Sequence, residues 1–279
     1  MEKKVNHTDS SCGFGEDDDA GVEAMAAATS HIFHFVLNAA IELDLFSIIG
    51  GAGDGVPIST SDIVSRLPIR GREDEAAAAL NSMLRSLASY SLLACSMSEV
   101  APGGAFERRY RLTPSGKFFV RDASGSSLVK YQELGYQYSE SLLVCQNLKD
   151  AVLGGGVLFE RLNGKSFYEH VKCSNTGYAE AFHDAMRAHS VFILGKVLEK
   201  YHGFENLDSI VYVAGGDGTA LEMIISKYPS IRGINFDLPE VIKTAPLSRG
   251  IEHIGGDMFV EVPKAEAILF KVKLDTKPI

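Results

Sequence analysis

The chain has 279 residues, 46% of them hydrophobic, a mean hydropathy of +0.04 and a formal net charge of −9. That is enough apolar content for one large core or two moderate ones. The acidic balance argues against a nucleic-acid partner, whose binding rests on clustered Lys and Arg displacing counterions. Cys12, Cys95, Cys145 and Cys173 are widely spaced with no CxxC pair, so reduced thiols are expected.

In chain order, residues 1–21 are predicted to be a disordered acidic tail, with Glu16 to Asp19 solvated. They show neither the apolar core of a signal peptide nor the Arg-rich, acid-poor character of a transit peptide, which predicts a cytoplasmic protein. The apolar stretch His31 to Ile49 is broken by His34, Asn38, Glu42 and Asp44, so it predicts a buried or dimer-facing helix and no membrane partner.

Residues 22–122 predict an α-helical winged-helix domain. In residues 58–68, Ser59 or Ser61 is a candidate N-cap, Ile63, Val64 and Leu67 have helical spacing, and Pro68 is a stop. In EDEAAAALNSMLRSLASYSLLA, three acids open a helix whose stripe is Leu80, Met83, Leu84, Leu87 and Tyr90. LLACSMSEV and RRYRLTPSGKFFV, on either side of APGGAFE, predict a hairpin, or wing. Between His31 and Arg121 there are nine Lys/Arg and nine Asp/Glu, so the wing has no basic footprint for DNA and dimerisation is the better expectation.

Residues 123–203 predict a helical connector, chiefly LLVCQNLKDAVLGG and TGYAEAFHDAMRAHSVFILGKVLEKY. Residues 204–279 alternate short β-rich runs (SIVYVAG, IRGINFD, IEHIGGD, AEAILFKV) with helical ones (TALEMIISKY, LPEVIKTAP), the pattern of a parallel α/β sheet. The predicted class is therefore mixed: a winged-helix domain followed by an incomplete Rossmann-like domain.

The chemistry concentrates at VYVAGGDG. Gly215, Gly216 and Gly218 follow a strand and precede a helix, where missing side chains permit a tight turn and close ligand approach. Alone the signal is weak, since glycine clusters also serve as plain strand-to-helix turns. Asp237 ends the next strand about twenty residues on, where an acid accepts hydrogen bonds from ribose hydroxyls, and Asp257 ends the third. A dinucleotide site wants a further glycine where Leu221 stands, so a single adenosine ligand fits better.

NGKSFYEHVK, EAFHDAMRAHS, the run from YVAGGDG to SKYPSIRGINFDLPEVI, and GIEHIGGDMFVEVPKAEAILFK together resemble the plant caffeic-acid and flavonoid O-methyltransferase family, from about Ala24 to Lys271. The resemblance implies S-adenosylmethionine (SAM) as cofactor, a phenolic small-molecule acceptor and a dimer. It also implies that Gly215, Gly216 and Gly218 border SAM, Asp237 holds its ribose, Asp257 and Met258 flank its adenine, and Lys271 and Ser190 lie at the same site. For Met258 and Ser190 a packed core residue and a helix hydroxyl bonded to its own backbone are equally open readings.

Members of the family take the phenol proton with a His placed after the fourth strand, which is general-base catalysis. Here Asp275 holds that position, and His183, His189 and His253 read as structural, so no catalytic base and no metal site is assigned. Ala214 in place of the first glycine of GGGxG, and Tyr212 in place of an acid, are expected to weaken SAM binding, and Asp217 adds an acid beside the turn. The family pattern continues where this chain reads LDTKPI. The expectation is thus a C-terminally truncated, catalytically impaired enzyme with its fourth strand an open edge. The alternatives are a non-catalytic dimer partner of full-length relatives, or a product without a function of its own.

Overall fold

The computed structural model describes residues 16–100, 104–121, 127–173 and 177–271. The chain opens with α1 (Glu16–Glu42) and α2 (Leu45–Gly50). The predicted stretch from His31 to Ile49 is thus two helices, parted at Asp44, whose φ of 54° lies in the left-handed region and ends the first run. The acidic run expected in a solvated tail forms the first turn of α1, where negative charge suits the unpaired N–H groups of a helix start. Because α1 begins this early, residues 19–42 are long and apolar enough to cross a bilayer on length and composition alone. Its last turns instead bury Leu37, Ala40 and Ile41 in the first core, while Ile32 and Phe35 stand half-exposed on the preceding turns.

A three-stranded antiparallel sheet follows, built from β1 (Ile58–Ser59), β2 (Leu93–Glu99) and β3 (Phe106–Leu112) in the order β1-β3-β2. Between β1 and β2 lie α3 (Thr60–Val64) and α4 (Glu73–Ser89). Ser59 is the N-cap of α3: its hydroxyl accepts from Asp62 N–H at 3.1 Å, and the Asp62 carboxylate accepts from Ser59 N–H at 3.0 Å. From α4, Leu80, Leu84 and Leu87 are buried as the stripe predicts; Tyr90 ends the helix and stacks on Phe33 of α1 at 3.6 Å. Tyr110 of β3 is fully buried, and its hydroxyl donates to Asn81 at 3.1 Å.

The connector holds α5 (Val129–Gln137), α6 (Ser139–Gln146), α7 (Leu148–Gly154), α8 (Leu158–Asn163), α9 (Phe167–Cys173) and the long α10 (Tyr178–Lys200). The segment LLVCQNLKDAVLGG is two helices, since Asn147 turns its side chain back onto the Leu143 carbonyl at 2.7 Å and closes α6. On one side α10 meets the first unit through Phe118–Phe192 (4.9 Å, edge-on) and α5 through Tyr131–His189 (5.4 Å, stacked). On the other it gives Leu194 and Leu198 to the core of the second sheet.

That sheet is parallel throughout: β4 (Ser209–Val213), β5 (Arg232–Asp237), β6 (Ile251–Gly255) and β7 (Ala267–Phe270), ordered β6-β5-β4-β7, with α11 (Thr219–Lys227) and the single turn α12 (Pro239–Ile242) as crossovers. Alternation along β4 fixes the layers. Ile210 and Tyr212 face α10 and α11 with Leu221, Ile224 and Ile225, while Val211 and Val213 face the opposite side with Ile234 and Phe236. Each fully buried Leu or Ile here contributes about 2 kcal/mol. The order leaves β4 central, and its C-terminal end opens between β5 and β7, the switch point where open α/β sheets bind ligands. Among the described residues β7 pairs with β4 alone, and Ile268 and Phe270 stand exposed at this edge.

Candidate functional site

At the end of β4 the chain turns through three left-handed residues, Ala214 (φ 55°), Gly216 (φ 62°) and Gly218 (φ 86°), before α11 begins. The glycines differ in purpose. A Cβ at Gly215 would sit 2.0 Å from Asn235 Oδ1 and 2.7 Å from the Tyr212 ring, so this position is glycine for internal packing. A Cβ at Gly216 would meet nothing within 4 Å, so the space above it is open to a ligand.

Asp237, the last residue of β5, is tied to this turn. Its Oδ2 accepts from Gly216 N–H at 2.8 Å and its Oδ1 from Leu238 N–H at 2.7 Å. Gly256 N–H donates to the Asp237 carbonyl at 2.9 Å, which brings the loop after β6 to the same end of the sheet. In that loop Asp257 is exposed and accepts from Phe259 N–H at 2.9 Å, whereas Met258 packs on Val211, Val213, Ile234 and Phe236. On the other flank, Lys271 follows β7 and its ammonium donates to the Ser190 hydroxyl, which in turn donates to the Met186 carbonyl at 2.6 Å. Ser190 is thus a helix hydroxyl bonded to its own backbone, one of the two readings the sequence leaves open, and it also accepts from Lys271.

The electrostatics follow from burial and from these neighbours. Burial pushes the Lys271 ammonium below its usual range, and Asp217 partly restores it. Burial, then Lys271, lowers His189. Tyr212 is pushed up to about 12 by burial first, then by Asp217 and Asp237, so its phenol stays neutral.

Two residues at this end went unread in the sequence. Arg187 reaches from α10 to Asp217 at 2.9 Å; spacing alone could not pair residues thirty apart on different elements. Asn235 is fully buried in β5, its amide donating to the Gly216 carbonyl at 3.0 Å and facing His253 Nδ1 at 3.1 Å. A polar residue inside the apolar run INF was its available signal. His253 has its other nitrogen 3.0 Å from the Pro246 carbonyl, so both ring nitrogens are engaged. His183 packs edge-on to Phe182 and His189 stacks on Tyr131. Asp275 lies outside the described residues. Cys145 is an exposed thiol and Leu148 an exposed side chain on the α6–α7 segment.

Comparison with known proteins agrees with this arrangement. Residues 25–122 match the O-methyltransferase dimerisation domain, and residues 145–276 the O-methyltransferase domain. A caffeic acid 3-O-methyltransferase of Prunus dulcis is 45% identical over 255 residues, which are 91% of this chain and 68% of that protein. An N-methyltransferase of Lophophora williamsii is 44% identical over 257 residues, 91% of this chain and 71% of that one. Among solved structures, human N-acetylserotonin methyltransferase in complex with SAM superposes with a TM-score of 0.69 at 20% identity, covering 92% of this chain and 72% of that one, and so shares the fold. Taken with the glycine turn, the Asp237 contact and the parallel sheet, these matches place the chain in the plant O-methyltransferase family that includes the caffeic acid 3-O-methyltransferases.

Proposed function

We propose that the chain binds SAM at the C-terminal end of β4 and belongs to a reaction that methylates a phenolic hydroxyl of a phenylpropanoid or flavonoid. The observation that carries the reading is the direct link between Gly216 and Asp237 beneath open space. The donor set fits the cofactor. Gly216 leaves room for it, the Asp237 carboxylate has lone pairs beyond the two backbone bonds it accepts, and the Ser190–Lys271 pair supplies a hydroxyl and a cation. In this reading Gly215, Gly216 and Gly218 shape the turn, Asp237 takes the ribose hydroxyls, Asp257 and Met258 border the adenine, and Lys271 and Ser190 lie at the methionine end. SAM when bound supplies an electrophilic methyl group; the chain's residues orient it and exclude water.

Proton removal is the weak step. A phenol near pKa ~10 must lose its proton, and the position where the family carries its His reads Asp275 here, so no imidazole is assigned to take it. Residues 1–279 by themselves are therefore proposed to bind SAM but to turn over slowly. A second reading is favoured by the match of residues 25–122 to a dimerisation domain and by the half-exposed Ile32 and Phe35 of α1: a subunit that pairs with itself or with a full-length relative without contributing chemistry. Cytoplasmic residence belongs to the same proposal, with Cys95, Cys145 and Cys173 as free, exposed thiols.

The test is calorimetric titration of SAM into the folded chain, followed by transfer of labelled methyl from SAM to caffeic acid. Micromolar binding with little transfer is expected. Absence of binding overturns the cofactor site, and transfer at a rate typical of enzymes overturns the claim of impairment. Co-purification with a full-length relative, with no change in that relative's turnover, would favour the second reading.

A further inference from the structure

We propose that Asp217 selects the charge of the ligand, favouring cationic SAM over the neutral thioether S-adenosylhomocysteine, and that Arg187 attenuates this preference. The inference rests on the SAM-binding reading above. Asp217 lies between Gly216 and Gly218, directly beside the open space of the turn. Its carboxylate is held at both oxygens: Oδ1 accepts from Thr219 N–H at 3.0 Å, and Oδ2 pairs with Arg187 at 2.9 Å. A group fixed in this way presents its charge without reorganising when a ligand arrives.

The surrounding charges make that one carboxylate decisive. Arg187 and Lys271 are cations reaching this end of the sheet from α10 and from the residue after β7. Asp217 acts electrostatically on both Lys271 and Tyr212, so its field spans the site. Tyr212, the last but one residue of β4, is neutral and supplies no negative charge. Asp237 and Asp257 also carry negative charge at this end of the sheet, but Asp237 is engaged with Gly216 and Leu238 on the β5 side and Asp257 lies in the exposed loop after β6. Without Asp217 the flank holding Ser190 and Lys271 would present two cations to a sulfonium. With it, the local balance tips toward accepting one. The Arg187 guanidinium neutralises part of the carboxylate, so its removal should leave a stronger attraction for a cation.

The experiment is titration calorimetry of SAM and of S-adenosylhomocysteine into the unsubstituted 279-residue chain, Asp217→Asn and Arg187→Met, with thermal melting to establish that each is folded. Asparagine keeps an acceptor for Thr219 N–H while removing the charge and, with it, the ion pair to Arg187. Asp217→Asn is expected to weaken SAM about tenfold while changing S-adenosylhomocysteine less than about twofold; Arg187→Met is expected to raise the preference for SAM by a few-fold. Equal weakening of both ligands, or an unchanged ratio, would overturn the proposal while leaving the cofactor site intact. Binding of neither ligand by the unsubstituted chain would refute the cofactor reading and this inference with it. If the variants do not fold, the salt dependence of the unsubstituted chain decides: SAM affinity must fall more steeply with ionic strength than thioether affinity, and parallel slopes overturn the proposal.

Discussion

Replacing Ala214 by glycine should stabilise this protein, against the usual direction for an alanine-to-glycine change. Ala214 leaves β4 with φ at 55°, and the next N–H, that of Gly215, reaches the Phe236 carbonyl of β5 at 3.4 Å, so the turn is tethered in that conformation. An L-residue with a Cβ held there costs about 1–2 kcal/mol, which glycine does not incur. Glycine also loosens the unfolded chain, at a cost of about 0.4–1 kcal/mol. The difference is a net stabilisation of about 0.5–1 kcal/mol, or roughly 1–4 °C in melting temperature for a chain of this size. Scanning calorimetry with and without SAM measures it, and Ala214→Val supplies the opposite sign, since a β-branched residue fits the left-handed region worse than alanine. A lower melting temperature for the glycine variant, or a valine variant as stable as the parent, would refute the strain argument.

Asp237→Asn should weaken SAM by tenfold or more in the same titration, because the ribose loses a charged acceptor and Gly216 N–H loses a charge-assisted bond; unchanged affinity would remove Asp237 from the site. Ser59→Ala removes the hydroxyl that accepts from Asp62 N–H, leaving only the Ser59 N–H to Asp62 carboxylate half of the α3 capping box, and should cost about 1 kcal/mol in urea denaturation. Tyr212 gives a pH signature. Its folded value of about 12 lies above the ordinary value near 10, so its contribution is fully present below pH ~10 and is lost as pH rises toward 12. A shift of about 2 units corresponds to roughly 2–3 kcal/mol as an upper figure. Tyr212→Phe should flatten this alkaline loss in denaturation profiles, and a slope equal to the parent's would count against the buried phenol.

Much of the fold follows from local pattern. The 3.6-residue stripe of α4 and the apolar alternation of β4 each need only one buried face, so period alone reveals them. Ser59 and Asp62 are three residues apart and settle their own geometry. Breaks within helices were harder to see. Asp44 parts α1 from α2 by a left-handed φ that nothing in the composition demands, and Asn147 closes α6 by folding back on Leu143. The opening acids fit a solvated tail and a helix start equally by charge, and α1 begins among them at Glu16.

By itself the sequence determined the glycine turn, the acid that closes β5 and the one in the loop after β6, and the resemblance that ties them to a methyltransferase, because these depend on residue type at short spacing. Only the tertiary structure decided which of them meet. It joined Gly216 to Asp237, put Ser190 of α10 against Lys271, and brought Arg187 onto Asp217, contacts spanning 21, 81 and 30 residues. Such pairings depend on strand order and on how α10 lies across the sheet, which are fixed by burying Leu194 and Leu198 with Leu221 and Ile224 in a common core. No local preference of the residues that meet at the site encodes that packing.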